Sequence, residues 1–197
     1  MSRMSRNREM ALGLVVTLLG ATLGCGGESA VRVRSEGSAV MDAPRLPVAV
    51  YASPDSTTAD IYLTDLTGEE LDPTTDLSGL SGRIVSLHLF MVPLPGTTPM
   101  DSTACSVTVR HIVLAHGVIG VYSGGGFLNP RRQGESDLGG TVRGATLRLT
   151  GKTAGFADRL GPSTLEGSFV AVRDEALARR IRLRVDEILS KAEAPGK

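Results

Sequence analysis

The sequence predicts a mainly β protein: one antiparallel β-sandwich or barrel-like domain that ends in an α-helix. Three observations carry this. Short runs rich in Val and Thr recur through residues 45–173. Gly, Pro, Asp and Ser punctuate them, the pattern of many short strands joined by turns. The segment after them has apolar residues at helical spacing instead.

The elements follow in order. Leu46 to Tyr51 is short and bracketed by prolines, which suits an edge strand. Ala59 to Leu66 alternates Ile61 and Leu63 with Tyr62 and Thr64. Arg83 to Val92 is the most apolar run and reads as central. Cys105 to Ala115 puts Val107, Val109 and Val113 on one face. Gly117 to Tyr122 follows a tight break. Thr141 to Thr150 alternates Leu147 and Leu149 with Arg148, and Leu165 to Arg173 puts Phe169 and Ala171 together. Asp174 to Ala192 carries Leu177, Ile181, Val185 and Ile188. Asp174 is placed to cap it, Glu175 sits four residues before Arg179, and Pro195-Gly196 ends it. Ile181 to Val185 also alternates with period two. Helix is favoured because Ala, Leu and Arg dominate and no turn residue interrupts; Leu183 then falls on the wet face.

These elements place one domain over residues 45–192, with its helix at about 174–192. Residues 25–44 mix Gly, Ser and charges of both signs and read as a flexible tether. As a coil it would span roughly 22–26 Å. Val31 and Val33 alternate with Arg32 and Arg34 there, a short strand-like pattern inside the tether.

Ahead of the tether, Arg3, Arg6 and Arg8 precede a 14-residue uncharged apolar run, Met10 to Leu23. A membrane-crossing helix needs about 20 such residues, and a signal-peptide core fewer. Thr22-Leu23-Gly24-Cys25 then resembles the lipobox of bacterial lipoproteins, with a small residue just before the cysteine. The resemblance covers residues 1 to 27. It implies a signal peptide over 1–24 and acylation of Cys25 by long chains such as palmitate. The expected partner is therefore the lipid bilayer, and the expected place is the bacterial cell envelope. Gly26 and Gly27, where Asp would signal otherwise, favour the outer membrane. Two or three acyl chains make a durable anchor, at about 0.8 kcal/mol per buried methylene.

Composition removes several function classes. Twenty-one basic and 21 acidic side chains cancel, so no field draws in nucleic acid. Losing Arg3, Arg6, Arg8 and Glu9 with the signal leaves 18 and 20, a slightly acidic mature chain. There is no Trp, and three Tyr and four Phe leave few rings for stacking bases or sugars.

Motifs that carry chemistry are sparse. His88, His111 and His116 are the only histidines, without HExxH or HxH spacing, so no metal site and no cofactor are expected. Of the two cysteines, Cys105 is expected to be an unpaired, buried spectator. GxSxG is absent. Ser123, Gly124, Gly125 and Gly126 follow a strand and read as a wide turn or bulge, stopped by Asn129-Pro130. Amides there can form an anion nest. With Arg131 and Arg132 nearby, this is the candidate contact for a ligand or partner. Asp72 and Asp76 read as turn residues, and Asp158-Arg159 as the pin of a loop. Arginines 173, 179, 180, 182 and 184 interleave with Asp174, Glu175, Asp186 and Glu187. They read as a solvated, ion-paired face, or as a dock for an acidic partner or lipid headgroup.

The functional expectation is a non-catalytic envelope component that binds another envelope protein or serves as structure. The alternative is a small hydrolase or ligand binder that uses the Ser123–Gly126 loop with His88 or His111.

Overall fold

The computed structural model describes residues 29–90, 105–133 and 136–192. The signal peptide and Cys25 lie outside the described residues. The strands are β1 (Ser29–Ser35), β2 (Met41–Asp42), β3 (Arg45–Leu46), β4 (Val48–Ala52), β5 (Ala59–Thr64), β6 (Ser81–Leu89), β7 (Val107–Ala115), β8 (Val118–Gln133), β9 (Asp137–Lys152) and β10 (Ser163–Arg173). An α-helix, α1 (Glu175–Lys191), follows β10.

From β4 to β10 each strand pairs antiparallel with the next. The ring closes through a short parallel pairing, Val172 with Val50 and Arg173 with Tyr51. The result is the barrel form of the predicted fold. Followed once round the ring from Ser123, the hydrogen-bonded register passes Arg110, Ser86, Tyr62, Val50, Val172 and Asp137. It returns to β8 at Gln133, ten positions further along. Such a stagger requires strongly tilted strands. It also accounts for the 16 residues each of β8 and β9: the second half of β8 pairs with the first half of β9, and that half in turn pairs with β10.

β1 corrects the expectation of a tether over 25–44. Residues 30–35 pair with β10 from Ala30–Ser168 to Ser35–Ser163, and Ser29 pairs with Leu46. Because β9 occupies the other edge of β10, β1 fills the gap where β10 and β4 diverge. The Val/Arg alternation supplies a buried face, Val31 and Val33, and a wet face, Arg32 and Arg34. That pattern outweighs the Gly- and Ser-rich surroundings.

The elements around it follow the sequence pattern closely. His116 and Gly117 both have positive φ, 47° and 82°, and join β7 to β8 as a two-residue hairpin turn. The inward face of the barrel is filled by Ile61, Leu63, Val85, Leu87, Val107, Val109, Leu128, Leu147, Leu165 and Phe169 among others. A second apolar layer lies outside the barrel. There Val50, Tyr62, Ile84, Ile112 and Val121 meet Ala178, Ile181, Val185 and Ile188 of α1 and Leu66, Leu71 and Leu77 of the β5–β6 connection. Asp174 caps α1, its side chain accepting from Leu177 N at 2.9 Å, and Leu183 is half exposed as expected. Glu175, four residues before Arg179, bonds Arg173 instead, at 2.6 Å. Asp174→Ala should cost about 1 kcal/mol, read as a lowered urea midpoint with an unchanged slope.

The base of the barrel is closed by polar contacts. Phe156 enters from the β9–β10 connection and occupies the space a side chain at Gly120 would need; a Cβ there would lie 2.0 Å from its ring. Tyr122 donates from its hydroxyl to Asp158 Oδ1 at 2.6 Å, and Gly161 N donates to the same oxygen at 2.8 Å. Asp158 thus pins this loop, as expected. Asp42, carried in by β2, accepts from Arg83 Nε at 2.8 Å and lies 3.2 Å from Nε2 of the fully buried His111.

These bonds have a pH consequence. The His111 hydrogen bond, helped by Arg83 and opposed by desolvation, holds the Asp42 carboxyl down to about 2. A carboxyl depressed by folding stabilises above its unfolded pKa and ceases to as the pH falls through its folded one. Asp42 should therefore contribute about 2 kcal/mol at neutral pH, lost between roughly pH 4 and pH 2. Asp42→Asn should lower stability at pH 7 and flatten that acid loss, measured by urea unfolding across a pH series.

Candidate functional site

The strands β4, β6, β8 and β10 run toward one end of the barrel, and there lies a cleft of about 620 Å³. Tyr51, Ala59, Leu89, Pro130 and Leu138 make its apolar surface. Arg132, Asp137 and Arg173 stand on the rim, together with the turn from Ser53 to Thr58.

That turn is rigid for a local reason. Asp55 accepts from Thr57 N and Thr58 N, both at 2.7 Å, and from both threonine hydroxyls at 2.8 Å. Ser53 Oγ donates to the carbonyls of Asp55 and Thr58. The four donors hold the Asp55 carboxyl down to about 2, so it is occupied as an acceptor and is no proton carrier near neutrality. Arg173 is tied to Glu175. The rim charges thus alternate in sign around an apolar floor, an arrangement suited to holding a partner group.

The sequence candidates are not brought together. Ser123 to Gly126 form no loop: they lie in the middle of β8. A Cβ on Gly124 would lie 1.7 Å from Thr146 O, and one on Gly126 2.5 Å from Ala145 Cα. These glycines serve the close approach of β9, and the register shift between Gly125 and Phe127 is the expected bulge in a different setting. Ser123 faces outward, and its Oγ is 2.9 Å from Thr150 Oγ1. Tyr122, paired with His111, faces inward, so His111 is on the opposite face. His88 pairs with Thr108 on the far side of β7 and is bonded to Asp60 at 2.7 Å. The serine–histidine pairing that a hydrolase needs is therefore absent. Asn129-Pro130 does not stop the chain; Pro130 pairs with Gly140, and no described strand lies on its other edge to need its N–H.

Arg131 lines a separate shallow groove with Gln133 and Val170. Arg132 alone of the candidates reaches the mouth. Cys105 is exposed, not buried. It precedes the β7 ladder, and its sulfur lies over Gly125, where a Cβ would come within 2.8 Å. Arg184, expected on a solvated face, is fully buried. Among the described residues no group of three or more His, Cys, Asp or Glu is placed to hold a metal ion. No described helix is long and apolar enough to cross a membrane.

The mouth itself escaped sequence reading because its residues come from five separate stretches. The one usable signal was charge and aromatic residues at strand ends: Tyr51, Arg132, Asp137 and Arg173. Fold and site together define a closed β-barrel with a filled interior and a polar cleft at one end. No protein-family profile matches the chain, and neither a curated protein nor a solved structure matches it.

Proposed function

We propose that the protein is a lipid-anchored component of a bacterial envelope that binds a partner protein at the mouth of its barrel, without catalysis. One observation carries the binding half. The mouth gathers Tyr51, Arg132, Asp137 and Arg173 around a cleft of about 620 Å³, above an interior already filled by side chains. The basic n-region, the apolar run and Thr22-Leu23-Gly24-Cys25 support the anchor. With β1 beginning at Ser29, Cys25 is four residues away, at most about 14 Å. An acylated Cys25 would hold the barrel wall against the bilayer, closer than the coil length first expected.

Two experiments test this. Metabolic labelling with a fatty-acid analogue should mark the wild type and not Cys25→Ala; label on both or on neither removes the anchor. A photo-crosslinking residue at position 132 should capture an envelope protein, whereas one at position 148, on the outer face of β9, should not. Equal capture at both positions removes the mouth as the contact.

A further inference from the structure

A second cleft, of about 440 Å³, lies between the outer face of β5 and the first turns of α1. Tyr62, 4% exposed, forms its floor beside Ala178. Arg179 and Arg182 line it from the helix, three residues apart and so on one face. Its two carboxylates are already engaged. Asp60 accepts from His88 Nδ1 at 2.7 Å, and Glu175 from Arg173 at 2.6 Å. Asp186 and Arg110 also act on Tyr62, with opposite signs. Among the described residues, neither Arg179 nor Arg182 has a carboxylate within ion-pair distance, and no described residue hydrogen-bonds the Tyr62 hydroxyl.

We propose that Arg179, Arg182 and the Tyr62 hydroxyl form a binding site for a phosphate ester. Two guanidinium forks grip a tetrahedral oxyanion through paired N–H donors. The phenol supplies a further donor. Burial pushes it up to about 12, so it stays protonated across the physiological range. A bare ion would leave most of the cleft empty, and the space beside Ala178 and Pro54 admits the organic part of an ester. Two sources share this chemistry: a soluble phosphate monoester and the phosphodiester of a lipid headgroup. The inference does not depend on acylation of Cys25.

Calorimetric titration of the full chain in neutral detergent tests it, with glycerol 3-phosphate and dihexanoyl phosphatidylglycerol as probes. At least one should bind, at least tenfold more weakly to Arg179→Ala/Arg182→Ala and several-fold more weakly to Tyr62→Phe. Tighter binding of glycerol 3-phosphate assigns the site to soluble esters; tighter binding of the short-chain lipid assigns it to headgroups. Arg143→Ala/Arg148→Ala, on the outer face of β9, should bind as the wild type does. All these side chains except Tyr62 are exposed, so the arginine variants should keep the wild-type unfolding midpoint. Absence of binding by both probes overturns the proposal, as does binding that the Arg179/Arg182 variant retains.

Discussion

Gly124→Ala should destabilise the barrel by at least about 3 kcal/mol, the largest effect expected of any methyl group added to it. The new Cβ would sit 1.7 Å from Thr146 O and 2.8 Å from the carbon of the same carbonyl. A side chain in the way can turn aside; a carbonyl held between two strands cannot. β8 and β9 would have to part where Gly124 pairs with Leu147, and Leu147 is in the core. For a domain of this size the loss corresponds to a fall of roughly 6–12 °C in Tm. Gly125→Ala is the internal comparison. Its Cβ would meet the Cys105 sulfur at 2.8 Å, and an exposed thiol can rotate, so the cost should stay under about 1 kcal/mol. Urea unfolding of the two variants separates a packing role from a ligand role. Equal midpoints would show that close approach of β9 is not what position 124 requires.

The contrast also shows what was legible in the sequence. Alternation along Ala59–Thr64 and Val107–Ala115, and the stripe of Ile181, Val185 and Ile188, are local patterns with one physical meaning, and each formed the element expected. Asp72 and Asp76 were equally readable: Asp72 accepts from Thr74 N, and Asp76 caps the short turn at Leu77–Gly79. Glycine is ambiguous in a way that valine is not. Three in a row meet the needs of a turn and of tightly packed strands alike. Only closure of the ring, with its ten-residue stagger, demands that β8 run on past Gly126 and Pro130. The mouth depends on that same closure. Arg132 reaches it because β8 continues, and nothing near Arg132 in sequence announces Tyr51 or Arg173 as its neighbours. His111 was the opposite case. It shares the odd-numbered face of Val107, Val109 and Val113, so its burial was open to the same parity argument.

Arg184→Ala is expected to cost about 3 kcal/mol, since it removes a large buried side chain and two charge-assisted bonds together. The guanidinium is fully buried, with Nη1 2.6 Å from Glu187 Oε2 and Nη2 2.7 Å from Thr75 O. Position 184 falls three residues after Ile181 and four before Ile188, inside the apolar stripe of α1, which is why it cannot lie on a solvated face. The second bond matters most to the fold. Thr75 belongs to the β5–β6 connection, whose Leu71 and Leu77 share the outer apolar layer with α1. Arg184 thus ties that segment to the helix from beneath. Glu187 keeps Lys191 at 3.0 Å without it, so no carboxylate is stranded, and the loss falls on packing and on the Thr75 carbonyl. Arg184→Met, which restores much of the volume but no donor, should recover about half of the stability. Hydrogen exchange adds the spatial test. In Arg184→Ala the amides of Leu71 and Thr75, bonded to Thr67 O and Asp72 O, should exchange faster than those of β7. Uniform acceleration throughout the barrel would mean that Arg184 supports the whole fold and does not fasten this one segment to the helix.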